Sequence, residues 1–381
     1  MNDLSMKKSG TLAILVIVLF VSIGLQTSGV SDPGRSISSA YQIWKDTASI
    51  RCIAVGDVDQ NHPGDEIVLG DDLHRVMMIF REGNRWNVIT LLESPWFIHS
   101  IGIADLDTTN PGNEIAVLAM GPDGLQMLED NNGNWENPIS TVICSPPAQC
   151  WDFRVGDFDA FHPGDEACGS WEIIMDCADV FIYSFDGLQW TSTHAYQGMM
   201  PVMSVDVGDF NSTHPGNEIF MVDEDTEHLQ LLQNEEGWNY SVLWWGMYQH
   251  SGREAVIGDV DSLHPGNEVV IRERMDPRIH LLKEDNGRWT PTWIIGGRFL
   301  YTDVIICDIS DTHIGNEVVT TSDKNVTMIW GMGQQWFNKI LWRNNQLLTC
   351  IAYGEFDATS PGHELAVADE SGSLKRIPFS H

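Results

Sequence analysis

One short phrase recurs seven times along the chain, at intervals of about 50 residues. Its first copy runs from Asp57 to Ile67 and reads Asp-Val-Asp-Gln-Asn-His-Pro-Gly-Asp-Glu-Ile. Every copy keeps a glycine seven residues and a glutamate nine residues after its first acid. The first acids are Asp57, Asp105, Asp157, Asp209, Asp259, Asp308 and Glu355. A fixed period of this length predicts seven equal structural units stacked into one body.

Each unit reads as four antiparallel strands. In the first unit, short apolar runs cover residues 51–58, 66–69, 76–80 and 86–92, and Gly, Pro, Asn and Asp clusters separate them. Short runs bounded by such residues are typical of antiparallel strands. No helical periodicity of useful length follows residue 31.

The turn before the fourth strand also repeats, with a glycine one to three residues before a tryptophan. We expect the glycine to supply the backbone conformation of a tight hairpin. We expect the tryptophans to pack between neighbouring units; they are Trp86, Trp135, Trp190, Trp238, Trp289 and Trp336.

These patterns predict an all-β, seven-bladed β-propeller of four-stranded antiparallel blades. The last unit ends after three strands, but residues 42–57 match residues 340–355 without a gap. The segment 39–45 is therefore predicted to supply the missing fourth strand and close the ring, which would remove an exposed sheet edge.

The N-terminal residues 1–31 form a separate segment. Lys7 and Lys8 precede an apolar run from Thr11 to Leu25, which is typical of an export signal and short for a spanning helix. A signal peptide and an uncleaved membrane anchor both remain open. Either one places residues 32–381, the predicted propeller, outside the cell or at its surface, with membrane contact only through this segment.

The formal charge of -33 limits the partners. Nucleic-acid binding depends on Lys and Arg that neutralise phosphates, so this class is disfavoured. Cations, basic proteins and neutral sugars are compatible with such a surface, and so is a purely solubilising role.

The seven cysteines are compatible with disulfides in an exported chain. Cys144 with Cys150, and Cys168 with Cys177, are close enough in sequence to pair. Cys52, Cys307 and Cys350 lie in apolar strands and are expected to be buried thiols.

The repeated phrase resembles the FG-GAP and VCBS-type repeats of integrin α-subunit propellers and many secreted microbial proteins, over roughly residues 36–381. In those repeats an acidic loop joins the first two strands of a blade, and many such loops bind calcium. The resemblance implies calcium as a cofactor. The ligands it implies here are Asp57, Asp59, Glu66, Asp105, Asp107, Glu114, Asp157, Asp159, Glu166, Asp259, Asp261 and Glu268.

The acids themselves also allow calcium, which prefers six to eight oxygen ligands. However, the third acid of the family pattern is absent from every copy; Asn61 and Thr109 stand there in the first two. The alternative is a loop held only by hydrogen bonds, because Asp accepts backbone N–H groups in turns. Histidines in five copies, such as His62, lie in separate units and are expected to stabilise their turns.

The opposite face is predicted to bind a ligand, because its connections carry aromatic and charged residues in place of the regular phrase. Such side chains are compatible with a glycan or a protein surface. The candidate ligand-binding residues are Trp96, His99, Trp151, Tyr248, His250, Arg253 and Tyr301.

No catalytic motif stands out, and no catalytic residue is assigned. The favoured function is a binding or adhesion propeller for glycan or protein. One alternative is a polysaccharide lyase or dehydratase that would use His99, His250, Tyr301 or Arg253. A second is a structural scaffold in a surface assembly.

Overall fold

A computed structural model describes most of the chain beyond residue 39. The structure describes residues 40–122, 124–144, 150–157, 166–173, 177–198, 202–209, 217–223, 228–234, 237–245, 252–264, 266–273, 277–285, 288–297, 300–310, 312–313, 315–332, 334–359 and 362–379. The segment 1–31, with its predicted signal or anchor, lies outside these ranges. Within them, no helix has the length and apolar character needed to cross a membrane.

The described chain forms 28 β-strands arranged in four-stranded antiparallel sheets, which we number by repeat copy. Sheet 1 contains β2 (Ile50–Gly56), β3 (Glu66–Asp71), β4 (Arg75–Glu82) and β5 (Arg85–Glu93). Sheet 2 contains β6 (Ile98–Ala104), β7 (Glu114–Ala119), β8 (Leu125–Glu129) and β9 (Ile139–Cys144). Sheet 3 contains β10 (Cys150–Gly156), β11 (Glu166–Ile173), β12 (Cys177–Phe185) and β13 (Trp190–Gln197).

Sheet 4 contains β14 (Val202–Gly208), β15 (Glu218–Asp223), β16 (His228–Asn234) and β17 (Trp238–Trp245). Sheet 5 contains β18 (Gly252–Gly258), β19 (Glu268–Glu273), β20 (Arg278–Asp285) and β21 (Arg288–Gly296). Sheet 6 contains β22 (Tyr301–Cys307), β23 (Glu317–Ser322), β24 (Asn325–Met332) and β25 (Gln335–Arg343). Sheet 7 contains β26 (Leu348–Gly354), β27 (Glu364–Asp369), β28 (Ser373–Pro378) and β1 (Tyr41–Lys45).

The expectation of seven equal units needs a correction. Six sheets are each built from four consecutive strands, whereas sheet 7 combines three strands from the end of the chain with β1 from its beginning. β1 pairs antiparallel with β28, with Tyr41 opposite Arg376 and Lys45 opposite Ser373. A bulge between Gln42 and Trp44 interrupts this register.

The sheets form a closed β-propeller. The first strand of each sheet contacts the first strands of both neighbouring sheets, and the series returns from β26 to β2. Apolar clusters fill the spaces between neighbouring sheets: one joins Val68 of sheet 1 to Ile115 of sheet 2, and another joins Ile67 of sheet 1 to Leu374 of sheet 7. The core is therefore a ring of interfaces around a central channel.

The second strands carry most of this core. Alternate residues of a strand point to opposite faces, so Ile67 and Leu69 pack toward sheet 7 while Val68 packs toward sheet 2. All six residues of β3 are consequently buried, and β7, β19, β23 and β27 show the same pattern. Strands buried on both faces tend to read as continuous apolar runs; β7 does so, whereas β23 continues from Val319 into Thr320 and Thr321.

The repeated tryptophans pack as predicted. Trp135 is buried between sheets 1 and 2, where it is 4% exposed. Trp86, Trp190, Trp238, Trp289 and Trp336 are partly buried, each against the apolar cluster that joins its own sheet to the preceding one.

The strand order separates two faces. The phrases, such as residues 57–65, join first to second strands and lie on the same face as the turns between third and fourth strands; we call this the loop face. The turns between second and third strands, such as 72–74, and the links between sheets, such as 94–97, form the opposite connector face.

A substitution of Ile43 tests whether β1 stabilises sheet 7. Ile43 is 9% exposed and belongs to the apolar cluster between sheets 7 and 1. We expect Ile43→Ala to lower the free energy of unfolding by about 2–4 kcal/mol, because it removes buried apolar contacts and leaves a cavity. Tyr41→Ala, on the same strand but 52% exposed, is the matched control. Equal denaturant midpoints for the two variants would contradict the role of β1.

Candidate functional site

In several sheets the glutamate of the phrase is a buried acceptor for its own loop. Glu66 is 1% exposed, and its Oε2 accepts hydrogen bonds from the backbone N–H groups of Val58 and Asp59, both at 2.9 Å. Glu114 and Glu268 accept the equivalent pairs at 2.9–3.0 Å. This carboxylate therefore satisfies buried loop donors, which would otherwise cost about 1–3 kcal/mol each.

The second acid of the phrase closes a tight turn. Oδ1 of Asp107 accepts from the backbone N–H and the hydroxyl of Thr109, at 2.9 and 2.6 Å. Asp357 binds Thr359 in the same way, and Asp59 binds Asn61. The residue that replaces the third acid of the family pattern is thus a donor to the second acid.

The other oxygen of this second acid faces a basic side chain in several sheets. Asp59 Oδ2 lies 2.9 Å from His62 Nδ1. Asp261 Oδ2 contacts Lys283, and Asp357 Oδ2 contacts both Arg81 and Arg376. In these phrases the carboxylate has protein partners at both oxygens.

Calcium binding by the phrases stays a prediction. Asp57, Asp157 and Asp259 are exposed and Asp105 is half-buried, while the second acids and the glutamates make the contacts above. Asp159 lies outside the described residues, and only the backbone of Glu166 is described. Within the described ranges no three His, Cys, Asp or Glu side chains are arranged to hold a metal ion.

The residue before the glutamate links neighbouring sheets. Asn113 Nδ2 donates to the carbonyl of Asp57 at 2.7 Å, and Asn217 and Asn267 donate to the carbonyls of Asp157 and Asp209. In sheet 7 this position is His363, and the Tyr353 hydroxyl reaches the Asp308 carbonyl instead, at 2.7 Å. The phrase therefore joins each of these units to the unit before it.

The glycine of the phrase permits this close approach. Gly64 has φ +98°, and a Cβ there would lie 2.8 Å from the carbonyl of Glu355 in sheet 7. Gly112, Gly266, Gly315 and Gly362 also have positive φ. A side chain would be strained at these positions.

The described phrase histidines stabilise their loops, as predicted. His264 Nδ1 lies 3.0 Å from Glu268 Oε1, and His313 Nδ1 lies 2.9 Å from Glu317 Oε1. With the His62–Asp59 contact, these histidines engage acids of their own phrase.

The central channel contains a cavity of about 670 Å³. Its walls come from the first strands of all seven sheets. Apart from Arg272 on β19, the lining residues fall in the first six residues of these strands, so the cavity lies toward the connector face. Ligand pockets commonly occupy about 300–1,000 Å³, which makes this channel the candidate functional site.

Arg154, which lines the cavity, forms ion pairs with two aspartates. Its Nη1 lies 2.8 Å from Asp152 Oδ1 and its Nε lies 3.3 Å from Asp206 Oδ1. Burial raises the pKa of Asp206 to about 6, and the nearby guanidinium opposes this shift. Both carboxylates also accept backbone N–H groups of the next sheet, from Val205 and Ile257.

Glu254 and Asp303 form a carboxyl pair in the same channel. Their side chains are hydrogen bonded to each other, and burial together with the charge of Glu254 raises the pKa of Asp303 well above its usual range. Arg272 Nε lies 2.9 Å from Glu254 Oε2, and its Nη1 donates to the Tyr301 carbonyl.

The predicted ligand-binding residues have different outcomes. His99 lines the channel cavity. Trp96 is 41% exposed on the connector face, whereas the Tyr301 side chain is only 5% exposed and packs in the core between sheets 5 and 6. Trp151 and Arg253 lie on β10 and β18, without a described side chain. Tyr248 and His250 lie outside the described residues.

The channel acids were not among the residues predicted from the sequence. Asp152, Glu254 and Asp303 occupy the third position of their first strands, where sheets 1 and 7 have Cys52 and Cys350. The signal was an ionisable residue in an otherwise apolar first strand. Aligning the seven first strands would have placed these residues on one ring.

An aromatic patch, Leu73, His74, Trp96 and Phe97, lies on the connector face between sheets 1 and 2. Leu73, Trp96 and Phe97 are 58%, 41% and 52% exposed. The rings of His74 and Phe97 lie 4.4 Å apart, and the Trp96 ring covers Gly121, where a Cβ would lie 2.2 Å from it.

Comparisons with known proteins show the fold. No protein-family model and no curated protein matches the chain. Among solved structures, BBS1N in complex with ARL6DN is 12% identical with a TM-score of 0.60, over 92% of this chain and 96% of that one. The WD40 propeller of Doa1 is 11% identical with a TM-score of 0.59, over 92% and 98%.

YCF48 bound to D1 peptide is 13% identical with a TM-score of 0.55, over 90% of this chain and 97% of that one. Identities this low establish the β-propeller fold alone. The FG-GAP or VCBS repeat type stays a prediction, and so does any partner.

The buried glutamates predict a pH-dependent stability. Burial raises the pKa of Glu66 from 4.5 to about 7, while the N–H groups of Asp59 and Val58 oppose the shift. The folded protein then binds more protons than the unfolded chain between these values, so this contribution is complete below pH 4.5 and lost as pH rises through 7. At pH 8 we expect Glu66→Gln to be more stable than wild type by about 1 kcal/mol.

The difference should shrink below pH 5, where wild-type Glu66 is protonated, as followed by urea unfolding. The exposed Glu93→Gln serves as the control in the same sheet. A wild-type stability that rises between pH 5 and 8 relative to Glu66→Gln would contradict a raised pKa.

Calcium in the phrases predicts a metal-dependent melting temperature. An ion that binds the folded loops and not the unfolded chain stabilises the fold, so on this prediction a chelator should lower the melting temperature and added calcium should restore it. Asp105→Asn together with Asp107→Asn should reduce the restoration. Identical melting curves with chelator and calcium would leave the phrases held by hydrogen bonds alone.

Proposed function

We propose that this propeller binds a protein partner on its connector face, through the aromatic patch. The observation that carries the proposal is the adjacent exposure of Leu73, Trp96 and Phe97 in neighbouring segments of sheets 1 and 2. Contiguous exposed apolar side chains mark interaction surfaces more often than isolated ones do. Aromatic side chains also dominate the binding energy of protein interfaces.

The patch is preorganised by backbone contacts. Ser94 N donates to the His74 carbonyl at 2.9 Å, and Met120 N donates to the Phe97 carbonyl at 2.8 Å. His74 itself has φ 64°, a conformation that few residues with a side chain adopt. A rigid patch loses little conformational freedom when it binds, which favours affinity.

The partner is proposed to be a protein segment with an apolar side chain beside basic residues. The net charge of -33 would attract such a segment over a distance and increase its association rate. Two similar propellers carry protein ligands in their structures, BBS1N with ARL6DN and YCF48 with D1 peptide. These cases support the class of ligand and do not identify it.

Export and the repeat type belong to the same proposal. We propose that residues 1–31 direct the propeller out of the cytoplasm as a signal or an anchor, and that its repeats are of the FG-GAP or VCBS type. The basic and apolar pattern of the segment supports export, and the acidic phrase supports the repeat type.

The test combines cross-linking with a matched pair of variants. Cross-linking and mass spectrometry on the full chain in its own cells would identify the partner and the contacted residues. With that partner purified, Trp96→Ala together with Phe97→Ala should raise Kd about 30-fold or more, because interface hot spots contribute about 2 kcal/mol or more.

Trp293→Ala with Tyr240→Ala is the control, since both rings are 62% exposed on outer strands away from the patch. Melting temperatures of both double variants would establish folding. Equal Kd values, or cross-links confined to the loop face, would overturn the proposal. A glycan array that detects binding abolished by the patch variant would assign the patch to a glycan instead.

A further inference from the structure

Every first strand carries a β-bulge at the same place. In all seven sheets the pairing with the second strand shifts between the first and the third residue, as between Ile50 and Cys52 in sheet 1. A bulge re-aims a side chain and is frequent at the rim of a barrel or beside an active site. The bulge residues are Arg51, His99, Trp151, Met203, Arg253, Thr302 and Thr349.

The bulge residues with a described side chain line the channel. All of them contribute to the wall of the cavity; they are Arg51, His99, Met203, Thr302 and Thr349. By contrast, the preceding residues Ile50 and Leu348 are buried in the apolar clusters between sheets. His99, Trp151 and Arg253, which were predicted from the sequence to bind a ligand, share the bulge position.

The ring of bulge residues is asymmetric, although the strands around it repeat. Two positions after the bulge, every first strand has an apolar residue: Ile53, Ile101, Phe153, Val205, Ala255, Val304 and Ile351. At the bulge itself the residues are basic, aromatic, thioether or hydroxyl-bearing. Packing between sheets therefore uses the repeated positions and leaves the bulge positions free to differ. A set of different side chains at one level fits a single ligand in one orientation.

The charges of the lining balance. Among the described residues, three guanidinium groups and three carboxyl groups line the cavity, beside His99. Each guanidinium group has a carboxylate partner, and the pairs are Arg154 with Asp152 at 2.8 Å, Arg272 with Glu254 at 2.9 Å and Arg51 with Asp72 at 3.7 Å. The remaining carboxylate of the lining, Asp303, accepts the N–H of Ile351 at 2.8 Å. This balance gives neither a cation nor an anion an advantage over a neutral ligand.

The balanced wall still offers hydrogen-bond donors and acceptors. A guanidinium group has several N–H donors and a carboxylate has several acceptor sites, so each ion pair leaves some of them for a ligand. A hydroxyl group both donates and accepts, and it therefore fits between such groups. Met203 and Ile53 add apolar surface to the same lining, which suits the C–H groups of a polyhydroxylated ring.

A buried hydroxyl in the cavity lacks a partner. Ser204, the residue after the bulge in sheet 4, lines the cavity and is 1% exposed. Its Oγ has no hydrogen-bond partner among the described residues. A buried hydroxyl without a partner costs free energy, and a hydroxyl group of a ligand would satisfy it.

We propose that the channel cavity binds a neutral sugar. Its hydroxyl groups contact Ser204, the bulge residue Thr349 and the paired charges, while its C–H groups face Met203. The volume of about 670 Å³ accommodates a ligand of this size, since small-molecule pockets commonly occupy about 300–1,000 Å³. None of the residues of the aromatic patch lines the cavity, so the sugar is a second ligand beside the proposed protein partner.

The test is saturation-transfer NMR followed by isothermal titration of the full chain. The probes are the methyl glycosides of glucose, galactose and mannose and the disaccharides maltose, cellobiose and lactose. For each ring that binds, the uronic acid and the amino sugar are the charged analogues. We expect at least one neutral sugar to bind saturably and more tightly than both of its charged analogues.

The same hydroxyl-bearing ring is present in a free sugar and at the end of a glycan chain. An oligosaccharide that ends in the bound sugar separates these sources. Tighter binding of the oligosaccharide than of the methyl glycoside indicates the end of a chain, and equal binding indicates a free sugar.

Ser204→Ala separates binding from folding. It removes a hydroxyl that has no partner among the described residues, so the melting temperature should not fall. Affinity for the sugar should weaken about two- to tenfold, which corresponds to the loss of one hydrogen bond of about 0.5–1.5 kcal/mol. Thr349→Val keeps the shape of the bulge residue, removes its hydroxyl and should act in the same direction.

Ser192→Ala is the matched control, because Ser192 is exposed on the outer strand β13, and it should leave the affinity unchanged. Thermal melting verifies the fold of each variant. Three results would overturn the proposal: no saturable binding of any neutral sugar, charged analogues that bind as tightly as the neutral ring, or unchanged affinity in folded Ser204→Ala and Thr349→Val.

Discussion

The structure depends on burying both faces of every sheet. A sheet such as β2–β5 has apolar side chains on two sides, Ile67 toward one neighbour and Val68 toward the other. A linear stack of such sheets would leave an apolar face at each end, whereas a ring leaves none. The apolar clusters between neighbouring sheets are thus the main stabilising contacts, and the loops and the channel follow from the closure they require.

Closure leaves the first strand of each sheet as an edge around the channel. Edge strands expose backbone N–H groups that need acceptors. Asp152, Asp206 and Asp303 meet part of this need across sheet boundaries, because they accept from Val205, Ile257 and Ile351. The same acids therefore stabilise the ring, and Asp152 and Asp303 also line the cavity.

Strands, turns and inter-sheet packing could be read from the sequence because they depend on residues close together in the chain. The period located the phrases, and the glycines and tryptophans located the hairpins. The match between residues 42–57 and 340–355 pointed to the pairing of β1 with β28, which is long-range, because the repeat supplied a template.

The candidate site could not be read in the same way. Glu254 and Asp303 lie in different repeats, and each looks unremarkable in its own strand. Their contact arises only when the ring brings the third positions of the first strands to one level. The acidic phrase, because it repeats, was easier to recognise in the sequence than the channel acids, and it predicted calcium sites. In the structure, its described glutamates and second acids have hydrogen-bond or ionic partners within the protein.

Sheet 7 combines the first and the last strands of the propeller, which limits how early it can form during synthesis. β1 emerges from the ribosome before every other strand of the propeller, yet its partner β28 is made last. Until then, Ile43 and the backbone of β1 have no native neighbour in their own sheet, and the growing chain carries an open edge. Such non-local pairing slows folding, and a transiently unpaired edge favours aggregation. Cotranslational folding of this chain therefore cannot finish until almost the whole of it has left the ribosome.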